Sequence, residues 1–207
     1  MTESLPILYL ITDRHQVPKE RQLLEVIEEL LQAGVRMVQL REKDLTAAEL
    51  YPLAQELRSL THRYKSLLLI NDRVDLALAI GADGVHLGGH SLPIISARKI
   101  LGSNYLIGAS THSAAEVKSA QNQGADFVTY GPIYFTPSKA AYGEPVGIES
   151  LRNICNTSKI PVYALGGIKA NNTKEILQAG AHGVAMISAL LSDPSPIQAY
   201  EKFAQEL

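Results

Sequence analysis

An α/β chain closed into a parallel (β/α)8 TIM barrel is the fold this sequence predicts, on three observations. Short apolar runs alternate with amphipathic helical stretches along all 207 residues. The runs lack the polar alternation of a half-exposed strand, as expected of a parallel sheet covered on both faces. Glycines recur just ahead of runs, in QAGVRMVQL, AIGADGVHL, NQGADFVTY and QAGAHGVAM, where a helix must stop in the left-handed region before re-entering the barrel.

The strand runs are 7–12, 36–40, 66–70, 83–87, 105–110, 126–130, 161–165 and 182–187. Between the first two, Leu23, Ile27, Leu30 and Leu31 keep the spacing of a helix with one apolar face. Leu50, Leu53, Leu57 and Leu60 do the same before the third, and another helix is expected over 171–179. The recurring Ala-Gly or Gly-Ala with a following Val is a weak internal repeat at barrel-unit spacing. A doubly wound open sheet competes, but no G-x-G-x-x-G follows the first strand to favour it. No linker or low-complexity stretch interrupts the pattern, so one domain over 1–207 is expected.

A formal net charge of −2 gives no field-level reason to expect nucleic acid or membrane partners. The N-terminal MTESLPILYLITDR lacks the features of a secretory signal, and no apolar run reaches the roughly 20 residues a membrane span needs. A cytoplasmic protein is expected. The one cysteine, Cys155, excludes an internal disulfide and reads as a buried or half-buried thiol.

Barrel chemistry sits on the loops after the strands, and those loops are dense in polar groups here. In VQLREKD (38–44), Gln39, Arg41 and Lys43 occupy alternating positions and would project together from one strand end. Two cations and an amide are costly in a packed core and suited to an anion-binding cleft; ion pairing with Glu42 or Asp44 is the alternative. Asn71 and Asp72 are good caps for a helix starting near Val74, and Asp72 is also a hard oxygen ligand of the kind Mg2+ takes. His86 reads as a satisfied strand-end histidine, His112 as a helix-start residue and His90 as solvated. Gly166-Gly167 and Ile187-Ser188 fit a phosphate cradle after strands seven and eight. Arg41 and Lys43 with Thr136, Ser138 and Lys139 make a second anion group. Two such sites around one carboxylate suggest phosphoryl or pyrophosphoryl chemistry on small phosphorylated substrates.

Taken in order and spacing, YLITDR (9–14), VQLREK (38–43), INDRVDLAL (70–78), GADGVHLG (81–88), IGASTHS (107–113), ADFVTYGPIYFTPSK (125–139), ALGGI (164–168) and GVAMISAL (183–190) resemble the thiamine phosphate synthase/TenI family. The resemblance implies a (β/α)8 barrel that joins hydroxymethylpyrimidine diphosphate to thiazole phosphate, with Mg2+, releasing pyrophosphate. It implies Arg41, Lys43 and Lys139 as the catalytic cations. Gln39 and Asn71 would join them around the pyrimidine and its diphosphate. Ser110, Thr136 and Ser138 would complete those contacts, Gly167, Ile187 and Ser188 would bind the thiazole phosphate, and Asp72 would ligate Mg2+. It also admits a homodimer. Synthases usually carry a second Mg2+ carboxylate where this chain has Ser91, with Gly89 in place of a glutamine, so a weakened metal site is expected. The loop over 134–147 looks more TenI-like, and TenI-type thiazole tautomerases are the alternative, with His90 or His112 as proton carrier. Their catalytic histidine, however, falls where this chain has Pro132. A non-catalytic relative that binds thiazole or thiamine phosphate is the third alternative.

Overall fold

The computed structural model describes residues 5–136 and 144–207. Eight strands, β1 (Leu8–Ile11), β2 (Met37–Leu40), β3 (Leu67–Asn71), β4 (Gly84–Leu87), β5 (Leu106–Thr111), β6 (Phe127–Tyr130), β7 (Val162–Leu165) and β8 (Gly183–Met186), pair in chain order as a closed barrel. Every pairing is parallel, and β8 returns to β1 through Leu8–Val184, Tyr9–Ala185 and Leu10–Met186. The helices around it are α1 (Leu23–Ala33), α2 (Ala47–Arg63), α3 (Val74–Ile80), α4 (Ile94–Leu101), α5 (Ala114–Asn122), α6 (Gly147–Thr157), α7 (Ala170–Gln178), α8 (Ser188–Leu191) and α9 (Pro196–Ala204). Each predicted strand run contains or overlaps an observed strand.

Strand alternation divides the core in two. Leu10, Val38, Leu68, Ile70, Val85, Ile107, Val128 and Val184 face outward and pack with Leu23, Val26, Ile27, Leu30 and Leu57 of the helices. Tyr9, Ile11, Met37, Leu69, Phe127, Tyr163 and Ala185 fill the barrel interior. This two-sided burial is why the strands lack polar alternation. The helix stops behave as the glycine spacing predicts: Gly34, Gly81, Gly124 and Gly180 all have positive φ, between 62° and 131°.

One interior glycine positions the site. A Cβ on Gly108 would lie 2.6 Å from His86 Nδ1 and closer still to the Phe127 ring, so only glycine lets both rings sit side by side. Cys155 is half-buried, and burial pushes its thiol up to about 11. Among the described residues no helix is long and apolar enough to cross a membrane.

Candidate active site

A cavity of about 760 Å³ opens at the C-terminal ends of the strands. Its wall takes a residue of the same parity from each strand or strand end: Ile11, Gln39 with Arg41, Asn71, His86, Ser110, Thr129 with Gly131, Leu165 and Ile187. Apart from Arg41 and Gly131, they stand two residues beyond an inward layer of Tyr9, Met37, Leu69, Gly84, Gly108, Phe127, Tyr163 and Ala185. Lys43, Asp72, Ser91, His90 and His112 join from the loops.

The cationic side rests on the alternation of Arg41-Glu42-Lys43-Asp44. β2 ends at Leu40, so Arg41 and Lys43 sit on the following loop rather than on the strand itself. The Arg41 N–H donates to Thr12 Oγ1 at 2.8 Å, which anchors that loop to the end of β1. Glu42 turns the other way and is buried, accepting from the Arg14 N–H at 3.0 Å and from its guanidinium at 3.2 Å. The same guanidinium grips Asp44 through two bonds of 2.7 and 2.5 Å. Arg14, with help from His15, therefore holds the Asp44 carboxyl well below the usual carboxylate range. Both acidic residues of the motif are thus spent on Arg14. Among the described residues neither Arg41 nor Lys43 has a carboxylate within ion-pair distance. Ion pairing with Glu42 or Asp44 is excluded, and both cations line the cavity without an ion-pair partner among the described residues.

On the neighbouring strand end, after β3, Asp72 does not cap α3. The N-cap is Arg73, with no side-chain cap bond. Asp72 adopts φ 60°, a left-handed conformation that Asp and Asn tolerate better than most residues. Its Oδ2 accepts from Asn71 Nδ2 at 2.7 Å, and its Oδ1 accepts from the Ser91 hydroxyl. Ser91 Oγ in turn accepts from the Gly88 N–H at 2.6 Å. The residue standing where a second carboxylate was expected is therefore in direct contact with the first.

His86 is 2% exposed, with Nδ1 3.3 Å from the Tyr9 hydroxyl and Nε2 3.0 Å from Ser110 Oγ. Burial, opposed by nearby Asp72 and aided by Arg41, lowers it from 6.5 to about 4. The unfolded chain therefore binds the extra proton between those two values and stability rises with pH there. Stability should fall by about 3 kcal/mol as pH is lowered from 6.5 to 4 and change no further from this source below 4. Urea unfolding across this range, compared with His86→Gln, checks it: the slope should flatten in the variant.

The remaining predicted residues divide between the cavity and its surroundings. His90 is exposed. His112 hydrogen-bonds through Nδ1 to the Gly131 carbonyl at 2.5 Å, and its backbone N–H donates to the Glu116 carboxylate at 2.7 Å, near the start of α5 as expected. Ile187 is on the cavity wall, whereas Thr136, Gly167 and Ser188 are not among its lining residues. Gly167 lies under the loop after β6, where a Cβ would be 2.7 Å from the Tyr134 Cβ. Ser188 is exposed at the start of α8. Ser138 and Lys139 lie outside the described residues. Two residues without an assigned role in the sequence reading, Tyr9 and Arg14, hold the site together. A tyrosine at an inward parity position was the available signal for the first.

The chain is similar to known proteins over most of its length. The thiamine monophosphate synthase family model matches residues 8–190. A Geobacter sulfurreducens protein is 59% identical over 91% of this chain and 88% of its own length. The thiamine-phosphate synthase of Clostridium acetobutylicum is 45% identical over 89% of this chain and 87% of its own. Among solved structures, the thiamine phosphate pyrophosphorylase of Pyrococcus furiosus superposes with a TM-score of 0.86 at 39% identity, covering 96% of this chain and 94% of that one. A 3-hexulose-6-phosphate synthase at 16% identity and TM-score 0.72 shares the fold. With its barrel, its motif order and these relatives, the chain belongs to the thiamine monophosphate synthase family.

Proposed function

We propose that this chain is a thiamine phosphate synthase, joining hydroxymethylpyrimidine diphosphate to thiazole phosphate and releasing pyrophosphate. The observation that carries the proposal is the grouping around one cavity of Asp72 with Arg41 and Lys43, two cations that have no ion-pair partner among the described residues. Synthase relatives at 45% identity over most of the chain support it.

In this role Arg41 and Lys43 bind the diphosphate and stabilise the charge that grows on it as the carbon–oxygen bond breaks. Lys139 is assigned to the same task by its motif position. Gln39, Asn71 and Ser110 orient the pyrimidine and the inner phosphate, while Thr136 and Ser138 complete the diphosphate contacts. Gly167, Ile187 and Ser188 hold the thiazole phosphate. The thiazole nitrogen already carries the lone pair that attacks the freed carbon, so no activated serine or cysteine is required.

The Asp72 carboxylate and the Ser91 hydroxyl bonded to it offer hard oxygens that fit Mg2+, and the Asn71 amide N–H orients the carboxylate. No group of three or more His, Cys, Asp or Glu suited to a fully protein-ligated metal occurs among the described residues. Asp72 would hold the ion, with water and diphosphate oxygens completing its shell. When bound, Mg2+ neutralises charge on the departing pyrophosphate. The substrates are phosphorylated and do not cross a bilayer unaided, which fits a cytoplasmic enzyme.

The test supplies both substrates with and without Mg2+ and measures thiamine phosphate and pyrophosphate in equal amounts. No product at saturating Mg2+ refutes the assignment. Metal-independent isomerisation of a thiazole carboxylate phosphate instead would point to the tautomerase, and tight ligand binding without turnover would point to a non-catalytic relative.

A further inference from the structure

Four polar side chains from four strands form one buried line. Gln39 Nε2 donates to the Tyr9 hydroxyl at 2.7 Å, Tyr9 reaches His86 Nδ1 at 3.3 Å, and His86 Nε2 reaches Ser110 Oγ at 3.0 Å. Gln39, Tyr9 and His86 are 2% exposed or less, and Ser110, the more open end of the line, stands with Gln39 and His86 on the cavity wall. Strand register sets the line up: Tyr9 and Gln39 come from neighbouring β1 and β2, and His86 lies beside Gly108 across β4 and β5. The missing side chain at Gly108 leaves room for the imidazole. Edge-on contacts of Phe127 with Tyr9 and with Tyr163, at 5.6 and 5.4 Å between ring centres, lock the aromatic rings in place.

With the Gln39 amide nitrogen facing the phenol, the donors and acceptors fit one proton order. The phenol oxygen already accepts from an amide that cannot take a proton back, so its own hydrogen is free for His86 Nδ1. Nδ1 is then an acceptor, and a neutral imidazole must carry its hydrogen on Nε2, pointing at Ser110 Oγ. With that lone pair filled, the serine hydrogen turns toward the cavity.

We propose that Tyr9 is a positioning residue that fixes the His86 tautomer and thereby makes Ser110 a hydrogen-bond donor to the bound substrate. Resting on the synthase assignment, the acceptor would be an oxygen or ring nitrogen of the diphosphate substrate. Phenylalanine at position 9 keeps the ring packing but leaves Nδ1 without its donor, so both tautomers become accessible.

The test reads the two claims separately. Nitrogen-15 NMR of His86 in the ligand-free wild type should show a protonated Nε2 and a bare Nδ1, and Tyr9→Phe should shift the signals toward a mixture. Steady-state kinetics of Tyr9→Phe should show kcat lower by about tenfold with KM nearly unchanged, as for loss of an orienting outer partner. Ser110→Ala should lower kcat similarly, and the double variant should fall no further. A wild-type His86 protonated on Nδ1 overturns the proposal, even if Tyr9→Phe fails to fold. So does a Tyr9→Phe variant with an unchanged tautomer or unchanged kcat. Were the wild type to lack turnover, the synthase assignment would fail while the tautomer result still decided the role of Tyr9.

Discussion

Arg41→Met is expected to lower kcat for pyrophosphate release by about 10²–10³-fold, the cost of removing one preorganised donor aimed at developing negative charge. The same change should leave thermal stability nearly untouched. Arg41 is held by its backbone, through the Thr12 hydroxyl, and its guanidinium has no carboxylate partner among the described residues. Removing an unpaired cation deprives the folded chain of no ion pair, and surface changes of this kind are usually within about 0.5 kcal/mol. Activity and stability should therefore separate. Arg14→Ala makes the opposite comparison, because Arg14 ties Glu42 and Asp44 together across the β1 and β2 loops. Steady-state kinetics beside thermal melts distinguish the two cases. Undiminished turnover in Arg41→Met would remove the residue from the leaving-group site.

Asp72→Asn is expected to raise the Mg2+ concentration needed for half-maximal rate by about 10–100-fold, a scale set by losses at metal-supporting residues. Asparagine is the informative replacement. It tolerates the left-handed backbone at φ 60° and keeps an oxygen in place, so the loss isolates the charge. The Ser91 hydroxyl now donates to that carboxylate, and a lone carboxylate binds a hard cation less tightly than two. Ser91→Asp should accordingly lower the half-maximal Mg2+ concentration, by about tenfold for each 1.4 kcal/mol of added affinity. Without metal, its two carboxylates would face each other, so the melting temperature should drop in chelator and recover with Mg2+. Rate against Mg2+ concentration for the three proteins checks both directions. Identical curves would leave Asp72 no part in metal binding.

The barrel was legible because two-sided burial removes polar alternation from all eight strands, and because helix stops such as Gly34 and Gly81 need positive φ. The cationic motif was legible in part. Alternation placed Arg41 and Lys43 on one side, but the removal of Glu42 and Asp44 to the other depends on Arg14, about thirty residues away in sequence. Asp72 looked like a helix cap because N-cap preference is a local rule, whereas its left-handed backbone and bond to Ser91 come from the meeting of two loops. The Gln39–Tyr9–His86–Ser110 line needs the register of separate strands, which composition and periodicity do not specify. Gly167 read as a phosphate turn, yet its lack of a side chain also answers to the close approach of Tyr134.

The most direct measurement is calorimetric titration of inorganic pyrophosphate, with and without Mg2+, into the wild type and Arg41→Met. Binding at one site per chain that strengthens with Mg2+ and weakens about 10–100-fold in Arg41→Met is expected, since a charge-assisted hydrogen bond contributes about 1.5–3 kcal/mol. Pyrophosphate that fails to bind in the presence of Mg2+, or that binds both proteins equally, would contradict a diphosphate site at the barrel mouth.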